Sequence, residues 1–127
     1  MTQNRPVNIN LLKIKLPLSA FLSITHRISG ILIFFLVLPF SVFIFSELTL
    51  NQNSFDNFMT LYHTNLGIKF GCIGLILIFQ YHIFTGIRHI LMDFHILNET
   101  LSSSHKSAVI TLVLFAVNAL LTLLVML

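Results

Sequence analysis

Three long apolar runs alternate with more polar stretches along this chain: Ile28–Ser46, Phe70–Met92 and Ala108–Leu127. Each approaches the ~20 residues that a helix needs to cross the hydrocarbon of a bilayer. The pattern predicts transmembrane helices at about 19–46, 67–93 and 107–127, preceded by an N-terminal segment over 1–18. The first helix is extended back to Pro17-Leu18-Ser19, because proline and serine favour a helix start. Pro39 lies inside that first run, where a membrane helix tolerates proline. Gln80, His82, Arg88 and His89 interrupt the second run, and Asn118 is the one strongly polar residue of the third. Residues 8–16 alternate loosely between apolar and polar, which fits either a strand paired with a partner or a segment on the membrane surface. The fold class expected is all-α: an integral-membrane, three-helix transmembrane anchor, as one domain over 1–127.

Composition strengthens this picture. The chain is 56% hydrophobic and 9% charged, against about 25% charged in soluble domains. The net charge of +3 sits at the edges of the apolar runs, which fits a membrane surface better than nucleic acid. The single cysteine, Cys72, reads as a small buried hydrophobe. An iron–sulfur cluster needs about four thiolates, so none is expected here. Neither a P-loop nor GxGxxG is present, so no nucleotide or flavin site is expected. Lys13 and Lys15 break the early apolar stretch, and no small-residue cleavage site follows. The first long run is therefore read as a retained span.

The basic residues also predict sidedness. Arg5, Lys13, Lys15 and Arg27 precede or open the first span, and Arg88 and Lys106 border the second loop. Only Lys69 borders the first loop. The positive-inside rule then puts the N-terminus and the second loop in the cytoplasm, with Glu47–Asn65 and the C-terminus outside.

Two histidine-arginine clusters fall at the inner edges of these spans. The first is Ser23-Ile24-Thr25-His26-Arg27. The second runs from Tyr81-His82 through Gly86-Ile87-Arg88-His89, with Asp93 soon after. Ionisable groups inside a bilayer are expensive, and chains that keep them use them for cofactors, substrates or proton paths. His82 lies roughly ten residues, about 15 Å, before the inner end of its span. Two readings are open there: a haem axial ligand, or a histidine hydrogen-bonded to a neighbouring helix. His89, seven residues on, shares its face about 10 Å away, too far to bind the same iron from the same side. His63, His95 and His105 are expected in loops. One haem at most is then the economical reading, with its second ligand from another chain. His26 is the internal alternative but is expected nearer the inner surface.

Ser23, His26 and Arg27 stand at i, i+3 and i+4 and so share a helix face. A hydroxyl beside a guanidinium suits a quinone headgroup: the hydroxyl bonds a carbonyl oxygen, and the cation stabilises the charge that develops on reduction. The competing reading of Arg27 is an interfacial anchor that snorkels to the headgroups. Asp93 is either paired with Arg27 or Arg88 across helices or solvated in the loop.

Taken together, S-x-x-H-R-x-[ST]-G over Ser23–Gly30 and H-x-x-x-G-x-R-H-x-x-x-D over His82–Asp93 resemble the cytochrome b subunit family of succinate dehydrogenase, respiratory complex II, of bacterial type. The resemblance begins at Arg5-Pro6-Val7-Asn8 and covers nearly the whole chain. It implies a three-helix anchor in the bacterial inner membrane. It also implies a second anchor subunit that supplies the other axial histidine to one haem b, and flavoprotein and iron–sulfur subunits docked on the inner face. It assigns the haem iron to His82 and the ubiquinone site to Ser23 and Arg27. It places His26 near a haem propionate and the quinone, and His89 and Asp93 as propionate or proton-path neighbours. Two alternatives stand beside it: a haem-free anchor of a related fumarate reductase running in reverse, or a small membrane protein with a histidine proton relay.

Overall fold

The structure is a computed structural model that describes residues 16–98 and 100–127. The basic residues Arg5, Lys13 and Lys15, the Arg5–Asn8 motif and nearly all of the loosely alternating 8–16 stretch lie outside the described residues. Among the described residues the chain is all-α. Helix α1 (Leu18–Leu32) passes through a π-helical turn (Ile33–Val37) into α2 (Leu38–Leu50). Then follow α3 (Gln52–Thr64), α4 (Leu66–Asp93) and α5 (Leu101–Met126).

Three stretches are long and apolar enough to span a membrane: Leu18–Leu50, Leu66–Asp93 and Leu101–Met126. The first has 33 residues, or about 50 Å of helix at ~1.5 Å per residue. That exceeds the ~30 Å of the hydrocarbon, an excess that tilt or extension into the headgroups accommodates. The π-turn has a local cause in Pro39. Proline has no N–H and its ring presses on the carbonyl four residues back, that of Phe35. One wide turn ahead of it, in which the Leu38 N–H reaches the Ile33 carbonyl, lets the helix continue.

α1, α4 and α5 all pack on one another. Their cross-links run in opposite chain directions. His26 meets Thr85 while Ser29 meets His82, and Arg88 meets Ser104 while Gln80 meets Thr122. Neighbouring spans are therefore antiparallel. The buried set includes the apolar Leu22, Val37, Ile73 and Ala108, but also Ser29, Thr85, Arg88, Ser104 and Thr111. Large apolar side chains point outward instead: Phe35 is 68% exposed and Phe43 59%. That inversion is what lipid imposes, since small and polar groups join membrane helices and apolar ones face the acyl chains.

The termini of the helices differ from the hydropathy pattern for identifiable reasons. The polar segment after the first span is helical. Asn51 caps α3 by accepting the Ser54 N–H, and Phe55, Phe58, Met59 and Tyr62 form its apolar stripe. Three of that stripe, Phe58, Met59 and Tyr62, help line an apolar cavity of about 460 Å³ that half-buried Cys72 also lines. His63, expected in a loop, sits in the last turn of α3. α5 begins at Leu101, where Thr100 accepts the Ser103 N–H, so His105 also lies on a helix rather than in a loop. α4 closes at a turn in which His95 takes φ 55°, with its N–H on the Met92 carbonyl and the Ile96 N–H on that of Leu91. This is the paired bonding of a helix end that more often uses glycine.

Candidate functional site

The site is built on a repeated spacing. α1 carries His26 and Gly30, and α4 carries His82 and Gly86, each pair four residues apart and so on one helix face. Antiparallel packing lays each histidine over the other helix's glycine. A Cβ at Gly30 would lie 3.3 Å from His82 Cε1, and one at Gly86 would lie 3.1 Å from His26 Cε1. Glycine at both positions gives the rings room that a side chain would crowd. The two imidazoles stack face to face, with centroids 4.1 Å apart and planes 12° from parallel. His89 meets the far side of His26 edge-on at 4.9 Å. One ring from α1 thus fills the gap between two rings of α4 that stand seven residues apart.

Hydroxyl groups hold the row. Ser29 Oγ lies 2.9 Å from His82 Nδ1 and donates to the His26 carbonyl at 2.7 Å. Thr85 Oγ1 lies 2.8 Å from His26 Nδ1 and donates to the Tyr81 carbonyl. Thr25 hydrogen-bonds Tyr81 between the same two helices. Ser29 and Thr85 are both buried. Inside a bilayer no water replaces such partners, so these bonds orient the rings firmly.

A polar cleft of about 320 Å³ opens beside the row, lined by Ser19, Ser23, Arg88, His89, Asp93 and Ser104 among others. Arg88 is 3% exposed. Its Nε donates to Ser107 Oγ, and its Nη2 donates to the Ser104 carbonyl and hydroxyl, all at 3.1 Å. A buried guanidinium needs such donor satisfaction.

The structure brings most of the predicted residues together. His26, His82 and His89 form a single row, and Ser23, His89 and Asp93 share one cleft. Arg27 is exposed on α1, outside the cleft lining but within electrostatic reach of His89. His26, two turns into α1, stands between His82 and His89 and so lies toward the Asp93 end of α4 from His82, with the two rings in contact. Arg88 is held by the serines of α5, and Asp93 is exposed at the helix end. Sequence reading missed Ser29, Thr85 and the Arg88 partners. Their signal was weak: a hydroxyl three residues after each histidine, and serines at 104 and 107 one turn apart.

The family described as succinate dehydrogenase/fumarate reductase transmembrane subunit matches residues 1–125. The chain belongs to this family. The chain is 38% identical over 93 residues to the succinate dehydrogenase cytochrome b556 subunit of Coxiella burnetii, covering 73% of this chain and 74% of the relative. It is 38% identical over 95 residues to the cytochrome b560 subunit of Chondrus crispus, with 72% of each chain covered. A cytochrome b560 subunit from Reclinomonas americana is 35% identical over 97 residues, covering 73% of this chain and 67% of its own length. As a succinate dehydrogenase/fumarate reductase transmembrane subunit, the chain is a membrane component of a succinate:quinone oxidoreductase complex. The histidine row, the hydroxyls and the cleft are then features of that complex's membrane sector.

Proposed function

We propose that this chain is the cytochrome b anchor of a succinate dehydrogenase. It holds one haem b through His82 and contributes Ser23 and Arg27 to a ubiquinone-reduction site. The observation that carries the reading is the state of His82, which His26 shares, and the resemblance selects His82 between them. The Nδ1 of His82 is held by a buried serine hydroxyl, and no described residue hydrogen-bonds its Nε2. An imidazole fixed at one nitrogen and open at the other is the usual form of a metal ligand. The relatives' name, cytochrome b, agrees with it.

Geometry within the chain also argues for a shared haem. His26 and His82 are stacked face to face, so their in-plane lone pairs run side by side and could not both reach one iron. A second ligand would then come from a second anchor subunit. A bound haem would supply a one-electron carrier inside the membrane. His26 and His89 stand where they can hold a propionate or pass a proton, and Asp93 stands at the mouth of the cleft.

Ser23 lines the cleft, where its hydroxyl can donate to a quinone carbonyl. The exposed guanidinium of Arg27, one turn on, can stabilise the negative charge that develops during reduction. The single cysteine leaves this chain without a cluster of its own. Two electrons from succinate therefore arrive through a flavoprotein and an iron–sulfur subunit, and with two protons they convert quinone to quinol. The distribution of Lys and Arg supports docking on the cytoplasmic face of a bacterial inner membrane, where the N-terminus and the second loop would lie.

The test is a reduced-minus-oxidised spectrum of the assembled complex, with and without His82→Ala. A b-type band is expected in the parent and not in the variant, with the complex still assembled. A band that survives His82→Ala removes His82 as ligand, and an intact parent complex without a band removes the haem. On the same preparations, Arg27→Leu is expected to slow quinone reduction about tenfold or more, while succinate oxidation by an artificial acceptor persists. Equal loss of both activities would assign Arg27 to assembly instead.

A further inference from the structure

We infer that Ser29 is a positioning residue for His82: it accepts the Nδ1–H of the imidazole and so selects the tautomer whose lone pair lies on Nε2. This rests on the reading of His82 as a haem ligand and adds what holds that ligand in its binding form.

A serine hydroxyl has one hydrogen to donate. Ser29 Oγ lies 2.7 Å from the His26 carbonyl, and a carbonyl only accepts. The hydroxyl proton is therefore directed to that carbonyl. With that proton on the carbonyl, Ser29 accepts at the 2.9 Å contact with His82 Nδ1, and Nδ1 carries the hydrogen. A neutral imidazole with its hydrogen on Nδ1 has its lone pair on Nε2. Ser29 is 4% exposed, so no solvent acceptor stands in for it. Gly30, the next residue, lets the ring come close enough for the bond.

The same count applies in mirror image at His26. Thr85 Oγ1 donates to carbonyls of its own helix at Tyr81 and His82, so it accepts from His26 Nδ1. Each helix thus supplies a hydroxyl that sets the tautomer of the other helix's histidine. Only the Ser29 pair bears on the assigned ligand. An acceptor on the far nitrogen makes an imidazole a stronger electron donor, which favours the oxidised iron.

The experiment uses the whole complex and measures the haem midpoint potential and the ferric low-spin resonance. Ser29→Ala is expected to keep the haem and to shift its redox equilibrium toward the reduced form by about threefold to tenfold. That corresponds to a rise of roughly 30–60 mV for one electron, accompanied by altered g-values. Ser29→Thr, which keeps the acceptor, is expected to match the parent. An unchanged or lowered potential in Ser29→Ala overturns the inference. If Ser29→Ala does not assemble, Ser29→Cys, a weaker acceptor of similar shape, decides: a smaller rise supports the inference and no rise overturns it. His82→Ala separates the two levels, because haem retained in that variant defeats the ligand assignment itself, whereas haem lost there with an unmoved Ser29→Ala potential defeats only the role of Ser29.

Discussion

Gly30 and Gly86 carry the close approach of α1 and α4, and a single methyl group tests it. A Cβ at Gly86 would stand 3.1 Å from the His26 ring, and one at Gly30 would stand 3.3 Å from His82. Both neighbours are rings held by buried hydroxyls, so they yield less readily than a flexible chain end. Overpacking of this kind typically costs about 1–3 kcal/mol. Gly86→Ala is expected to lower the thermal unfolding midpoint of the complex more than Gly30→Ala. Gly30→Ala is expected to disturb the visible spectrum more, since it presses on the proposed ligand. The opposite ranking in either measurement would mean that the glycines do not set the ring positions. Both histidines and both glycines can be read from the sequence. That each glycine serves the histidine of the other helix cannot, because no local spacing encodes a partner about fifty residues away.

Arg88 links two helices at the scale of the element. It is buried in α4, yet its hydrogen bonds go to Ser104 and Ser107 in the first two turns of α5. Those turns exist because Thr100 caps the helix well before the apolar run begins. Hydropathy puts the helix start near 107, since Ser102-Ser103-Ser104 looks like a loop. Here all three belong to a helix, and Ser104 with Ser107 lines the face that meets a cation. Lysine keeps the charge but not the planar fork. Arg88→Lys is therefore expected to destabilise the α4–α5 pair by about 1–3 kcal/mol, read as a lower unfolding midpoint in detergent. A midpoint equal to the parent's would show that charge alone suffices. α3 illustrates the reverse case. Its Phe55, Phe58, Met59 and Tyr62 stripe has helical period and was legible in principle, but the polar residues between them hid it from a hydropathy reading.

At the scale of the whole molecule, three antiparallel spans among the described residues would put Leu18 and Met126 on opposite sides of a membrane. A reporter fused after Leu127 is expected to read external, and one placed in the loop between α4 and α5 cytoplasmic. Matching signals from both positions would refute the three-span arrangement. The few buried side chains and the broad apolar exterior also fit a subunit whose surface is divided between lipid and other chains.

The all-α class, the three spans, the sidedness expected from Lys and Arg, and the short list of residues able to carry chemistry are all legible along the chain. These follow from local quantities: the length of an apolar run, the charge at its ends, and which residues share a helix face. Tertiary structure decided the rest. It stacked His26 on His82, turned Ser29 and Thr85 toward the opposite helix, directed Arg88 to α5 and left Arg27 exposed. The physical reason is rotational. Each helix can turn about its own axis without changing its hydropathy, and only packing against its neighbours selects the angle at which its polar groups meet.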